Sequence, residues 1–174
     1  MITNQLPHNA RYIPTSSVFT ATFNTPTLGK YDFNSSGNQN TVILPNLDTN
    51  SIYIIADMQV GGNIPQEEYL AAINTTPFIR LKTKVTKEIV YASVIPVVLY
   101  SQSKDITAYV HSDKGGDQLV ADMQGILNQT SYLLGLPSVS ISITFSIFAM
   151  DSRDYNEYFR GVSQDTLYKP VRRK

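Results

Sequence analysis

The sequence has no cysteine and no tryptophan among its 174 residues. Without thiols there is no disulfide framework, no cysteine-ligated zinc or iron–sulfur cluster, and no cysteine nucleophile. Two histidines leave little room for histidine-based metal or acid–base chemistry. Charge is scarce too: Asp, Glu, Lys and Arg make up 16% of the chain, and 14 cations balance 14 anions. An ordinary soluble protein carries about 25% charged residues, and a net charge of zero supplies no global field toward nucleic acid or membrane. Long apolar runs are missing: the strongest, Val94 to Tyr100, is far short of the ~20 residues that span a bilayer. Met1 to His8 has no basic stretch leading into an apolar one, so no secretory signal is expected, and the chain is expected to stay in the cytoplasm where it is made.

What covers the surface instead is uncharged and polar: 16 Ser, 16 Thr, 12 Asn and 9 Gln. A monomer of this mass exposes about 8,500 Å², which leaves roughly one charge per ~300 Å². An AT-rich genome would enrich Asn, Ile, Thr and Tyr in the same way. The sharper reading is a surface built to be covered, since charge is depleted and Tyr favoured where proteins meet, and near-zero net charge favours association. Sequons at Asn34, Asn74 and Asn128 read as chance products of an Asn- and Thr-rich chain.

Along the chain, Val139, Ile141, Ile143, Phe145 and Ile147 alternate with Ser140, Ser142, Thr144 and Ser146. That is the period of a strand with one buried and one polar face, and its small hydroxyl row suggests contact with another surface. Phe148 and Met150 break the polar row, so the far end should dip under something. Further strands are expected over 51–60, over 79–86 with Arg80, Lys82 and Lys84 outermost, and over 89–100 with Pro96 marking an edge or bulge. Shorter ones are expected over 18–23, 30–33, 41–44 and 106–110. Two helices are expected. The first spans 63–73, with Tyr69, Leu70 and Ile73 on one face; the second spans 117–127, from Leu119, Val120, Met123, Ile126 and Leu127 at helical spacing.

No constellation rises to a catalytic motif. His111-Ser112-Asp113 holds the three residue types of a hydrolase triad, but neighbours in sequence do not converge as a triad must, and a polar turn closed by Gly115-Gly116 is the simpler reading. Asp113 to Asp117 lacks the ligand spacing of a calcium loop and the Lys-Ser/Thr of a phosphate loop. Glu67 and Glu68 are neighbours at a helix start, not a pair across a cleft. Lys169, Arg172, Arg173 and Lys174 form a basic C-terminus near Tyr155, Tyr158 and Tyr168; it is either a solvated end or a weak, salt-sensitive contact with nucleic acid, a membrane surface or an acidic partner. No cofactor and no metal site is expected, and none of these residues suggests an enzyme.

About eight short strands with one or two inserted helices that do not alternate with them predict an all-β fold: a single jelly-roll or Greek-key β-sandwich. The expected organisation is an extended arm over 1–17, one sandwich over 18–160 and a basic tail over 161–174. With the arm, the strands from Val18 to Ala149, the inserted helices and the closing strand VSISITFSIFAM, the chain resembles single jelly-roll capsid and penton-type structural proteins of icosahedral viruses, of the tailless-phage kind. The resemblance implies a capsid, penton or minor virion component without an active site, located in the virion, whose partners are copies of itself and other capsid-like subunits. The competing reading is a β-sandwich binding module for carbohydrate or receptor, as in a phage spike, with Tyr31, Tyr155 or Tyr158 stacking on sugars.

Overall fold

The computed structural model describes residues 10–24, 29–95 and 103–158. In chain order the elements are β1 (Arg11–Asn24), β2 (Lys30–Asp32), β3 (Thr41–Leu44), β4 (Ser51–Gly62), α1 (Gln66–Ala72), β5 (Ile73–Thr83), β6 (Ile89–Val94), β7 (Ser103–Val110), β8 (Leu119–Asn128), β9 (Ser138–Asp151) and α2 (Ser152–Tyr158).

The pairing is nested. β1 lies antiparallel to β9, β2 and β3 to β8, β4 to β7, and β5 to β6. This is one long hairpin whose arms pair from the outermost strands to the innermost, rolled so that β9 also pairs β4 and β8 also pairs β5. One layer therefore runs β1-β9-β4-β7 and the other β3-β8-β5-β6, joined through β2, which pairs both β1 and β8. Such a roll of two Greek keys is the jelly roll. The all-β expectation holds, and the strand order selects the jelly roll within it. At the ends of the path β6 and β7 come close, so the sheet nearly closes on itself.

Alternation along the strands places the core. Phe19 and Ala21 on β1, Met58 and Val60 on β4, and Ile141, Ile143, Phe145 and Ile147 on β9 point inward; Ile79 and Leu81 on β5 and Leu119, Ala121, Met123 and Leu127 on β8 meet them in one buried cluster. Each large apolar side chain so buried is worth about 1.5–3 kcal/mol. A second, smaller cluster explains the far end of β9. Ile52 and Ile54 on the outer side of β4, with Met150, are covered by Tyr155 of α2, so the strand does dip under something, though α2 itself was not expected from the sequence.

The expected helix over 117–127 is a strand, β8. Leu119, Ala121, Met123 and Leu127 follow a period of two, but Val120 and Ile126 are apolar on the outer side and mimic a helical stripe. Val120 is buried there because Val42 and Lys82 stand directly opposite it on the two neighbouring strands. Strand partners on both edges supply the backbone hydrogen bonds of most of this strand, and this outweighs the helix preference of Leu, Met and Gln.

The expected arm is revised as well. Residues 11–17 belong to β1, paired through to β9, because Ile13 and Ser17 keep the inward period that Phe19 and Ala21 continue. The rest of the arm, 1–9, lies outside the described residues, as do Pro96 and the tail over 161–174. The helix expected over 63–73 is the shorter α1: Tyr69 and Ala72 are its buried residues, Leu70 is exposed and Ile73 begins β5. Asn63 caps nothing there; its Oδ1 accepts from Ser140 N at 3.0 Å and ties the approach to α1 onto β9. Val85 is exposed because β5 ends at Thr83 and the chain turns back to β6.

Candidate functional site: two outer faces and a buried aspartate

His111, Ser112 and Asp113 do not converge. The His111 ring turns to the Ser51 carbonyl, Nδ1 to O 2.8 Å, and Asp113 is exposed. Ser112 Oγ donates to Asp117 Oδ2 at 2.7 Å and so belongs to the hydrogen-bond network around that carboxylate. Asp117 is fully buried and organises the turn between β5 and β6. Its carboxylate also accepts Val85 N at 2.7 Å, Thr86 N at 3.3 Å, Thr86 Oγ1 at 2.9 Å and Gln118 N at 2.8 Å. Burial alone would raise its pKa. The hydrogen bonds from Ser112, Val85, Gln118 and Thr86 outweigh that and hold it below the ordinary aspartate value. Such a saturated carboxylate has no lone pair left for a cation, and among the described residues no three His, Asp or Glu side chains group as metal ligands do.

The basic row expected on β5 is partly neutralised. Arg80 and Lys82 meet Asp122 of β8 at 2.9 and 3.2 Å, and Asn40 N donates to the same carboxylate at 2.7 Å. Burial pushes the Asp122 pKa up, but the Asn40 amide and the two cations more than reverse this. With Arg80 nearly half exposed, the ion pairs themselves add at most about 1 kcal/mol.

The outer face of the first layer is different. β1 contributes Tyr12, Pro14, Ser16, Val18, Thr20 and Thr22; directly opposite stand Phe148, Ser146, Thr144, Ser142, Ser140 and Ser138 of β9. None of these twelve outward residues is charged, and the register of the ladder runs without a bulge. Tyr12 is 51% and Val18 58% exposed. Tyr12 stacks on Phe148 at 5.2 Å between ring centres, and the Thr20 and Ser140 hydroxyls meet at 3.1 Å. Neighbouring Gly61 of β4 leaves just enough space for the Ser142 hydroxyl, so the face stays flat.

The outer face of the second layer carries a groove of about 520 Å³, lined by Asp32, Asn34, Thr75, Thr76, Phe78, Val94, Gln124, Gly125 and Ile126. Its shape comes from bulges: β5 slips register against β8 between Ile73 and Thr75 and again between Thr75 and Phe78. At Gly125, φ is +148° and a Cβ would lie 2.7 Å from Pro77 Cα, so only glycine fits beneath the bulge. The sequence carried two marks of this site, Pro77 just before the strand expected over 79–86 and Gly125 inside the helix expected over 117–127, but nothing in the pattern said that they face one another.

Of the tyrosines expected to stack on sugars, two are buried: Tyr31 donates to the Leu133 and Leu136 carbonyls at 3.0 and 2.7 Å, and Tyr155 of α2 packs on Ile52, Ile54 and Met150; the Tyr158 side chain lies outside the description. Lys169, Arg172, Arg173 and Lys174 likewise lie outside the described residues.

Fold and surface together define an all-β jelly roll with a flat, uncharged β1–β9 strip on one layer and a groove on the other. No protein-family model matches the chain, and no curated protein matches it. Among solved structures it is similar to a chain described as "Cyanophage Pam1 capsid asymmetric unit", with 16% identity and a TM-score of 0.38 over 80% of this chain and 84% of that one. No helix among the described residues is long and apolar enough to cross a membrane.

Proposed function

We propose that this chain is a non-enzymatic structural protein: a capsid, penton or minor virion component that assembles with copies of itself and with other capsid-like subunits, and resides in the virion. The observation that carries the reading is the flat β1–β9 face, six outward-facing pairs without a charge. Twelve residues of strand span about 40 Å, and two strands at ~4.8 Å spacing are about 10 Å across. The face therefore offers about 400 Å², half of the ~800 Å² that each partner of a standard stable interface buries. Such a contact is weak alone and becomes durable when a closed symmetric array repeats it. The sparse charge of the whole chain, 28 charged residues in 174, fits a surface meant to be covered.

The test is mass by light scattering across concentration and salt, followed by electron microscopy of large species. The full chain is expected to form rings or shells, and Val18→Lys and Ser142→Lys, which place ammonium groups on the flat face, are expected to shift it toward monomer. A chain that stays monomeric at all concentrations, or variants that assemble as well as the parent, would sink the reading. The basic tail adds a second contact in this proposal. Deleting 169–174 should leave the fold intact and reduce association with a partner, nucleic acid or membrane surface at low salt; an unchanged assembly yield and salt response removes the tail from the account.

A further inference from the structure

We infer that the groove on the outer face of the second layer is a binding site for a neutral saccharide. Phe78 is its centre. On β8 the residue directly opposite is Gln124 and on β6 it is Val94, so a row of amide, phenyl ring and isopropyl group runs across three strands on one face. Val94 is half exposed and Gln124 is exposed. Around the row stand Asp32, Asn34, Thr75 and Thr76, with Ile126 beside them.

This mixture selects the ligand. Among the lining residues there is one carboxylate and no cation, so a phosphate or carboxylate ligand would enter without a counter-charge and against Asp32. An apolar ligand would strip water from two amides, two hydroxyls and a carboxylate and return no hydrogen bonds, at a cost for each. A sugar ring answers both halves of the site: its C–H face lies on the phenyl ring and the aliphatic groups, while its hydroxyls, each a donor and an acceptor, match a carboxylate that only accepts and amides and hydroxyls that do both. The volume falls within the range of about 300–1,000 Å³ typical of small-molecule sites.

The groove is also held open before any ligand arrives. Gly125 O accepts from Phe33 N at 2.9 Å, Pro77 O from Ile95 N at 2.7 Å, and Asp32 Oδ1 from Asn34 N at 2.8 Å. The last bond leaves Asp32 Oδ2 as the oxygen for a sugar hydroxyl. Backbone bonds therefore fix floor and rim, and binding orders few additional groups.

The experiment titrates the full-length, ¹⁵N-labelled chain with glucose, galactose, N-acetylglucosamine, maltose and lactose at millimolar concentrations and follows backbone amide shifts. At least one sugar should give saturable shifts centred on Asp32, Asn34, Thr75, Thr76, Phe78, Gln124 and Gly125. Phe78→Ala should weaken that sugar about tenfold and Gln124→Ala about fivefold, with the rest of the spectrum unchanged. Because Gln124 is exposed, its variant carries the test if Phe78→Ala does not fold. The inference is overturned if no sugar in the panel moves these amides, if saturable shifts map to the β1–β9 face instead, or if folded variants bind as tightly as the parent. Assembly is read separately by light scattering, so failure of either proposal leaves the other to be judged by its own experiment.

Discussion

The β1–β9 ladder and the β5–β8 ladder share one core and one strand geometry, yet they present opposite surfaces. Twelve residue pairs of β1 and β9 follow each other without a slip, and their outward side chains are hydroxyls, Pro14, Val18, Tyr12 and Phe148. β5 against β8 slips twice within its first six residues, and its outward side chains are Phe78, Arg80 and Lys82 facing Gln124, Asp122 and Val120. An unbroken register makes a plane, whereas each bulge bends its strand and re-aims the side chains beside it. One plane is suited to another copy of the same plane; the bent layer has a concavity with polar groups around it.

The largest expected effect abolishes the comparison, because both layers rest on the same core. Ile143→Asp puts an unpaired charge where no water reaches, and the variant is expected to be insoluble or unfolded by circular dichroism; a soluble, native-like product would mean that the two faces of β9 are reversed. Next comes Asp117→Ala, which strands the Val85, Thr86 and Gln118 amides at the turn of the second layer. A loss of about 3 kcal/mol in urea unfolding is expected, against none if the turn holds itself.

Asp117 and Asp122 also predict a pH dependence. Both have folded pKa values held below the ordinary aspartate value, so the stability they supply is complete above the unfolded value and is lost as pH falls through the folded ones. Unfolding free energy should therefore be level above about pH 5 and drop below about pH 4, and Asp117→Asn should flatten part of that drop. Urea titrations at stepped pH measure both; a parent and variant with the same acid slope would remove Asp117 from the explanation.

Gly125→Ala sharpens the difference between the layers. With φ at +148° and Pro77 in the way, it should cost about 1–3 kcal/mol and alter amide shifts around the groove while the β1–β9 amides stay in place. Shifts spread over both layers would show that the groove is not a local feature. The smallest effect on stability belongs to Val18→Lys, within about 0.5 kcal/mol of the parent, although its effect on assembly is expected to be large. A stability loss well beyond that would mean that Val18 is packed rather than presented.

How far these surfaces were legible depends on period. β9 could be read to within a residue or two, because Val139 to Ile147 alternate without exception, and β2, β3 and β4 were likewise placed, while β7 begins three residues before its expected start. β8 could not, since its outward Val120 and Ile126 are apolar for a reason that lies on other strands. The groove was hidden for the same reason: Asp32, Thr75, Phe78 and Gln124 are far apart in sequence and carry no shared spacing. His111-Ser112-Asp113, by contrast, was legible as a turn, and its serine does serve the neighbouring Asp117.

By itself the sequence determined which chemistries are absent, that the chain is made of half-buried strands, and that its surface carries few charges, because residue type and alternation act locally. Only the tertiary structure decided that these strands roll in nested pairs, that residues 119–128 extend rather than coil, and which sparse charges meet in an ion cluster. It also decided that the β1–β9 ladder runs unbroken while the β5–β8 ladder is bulged. Those outcomes rest on register and on contacts between distant segments, which no local pattern encodes.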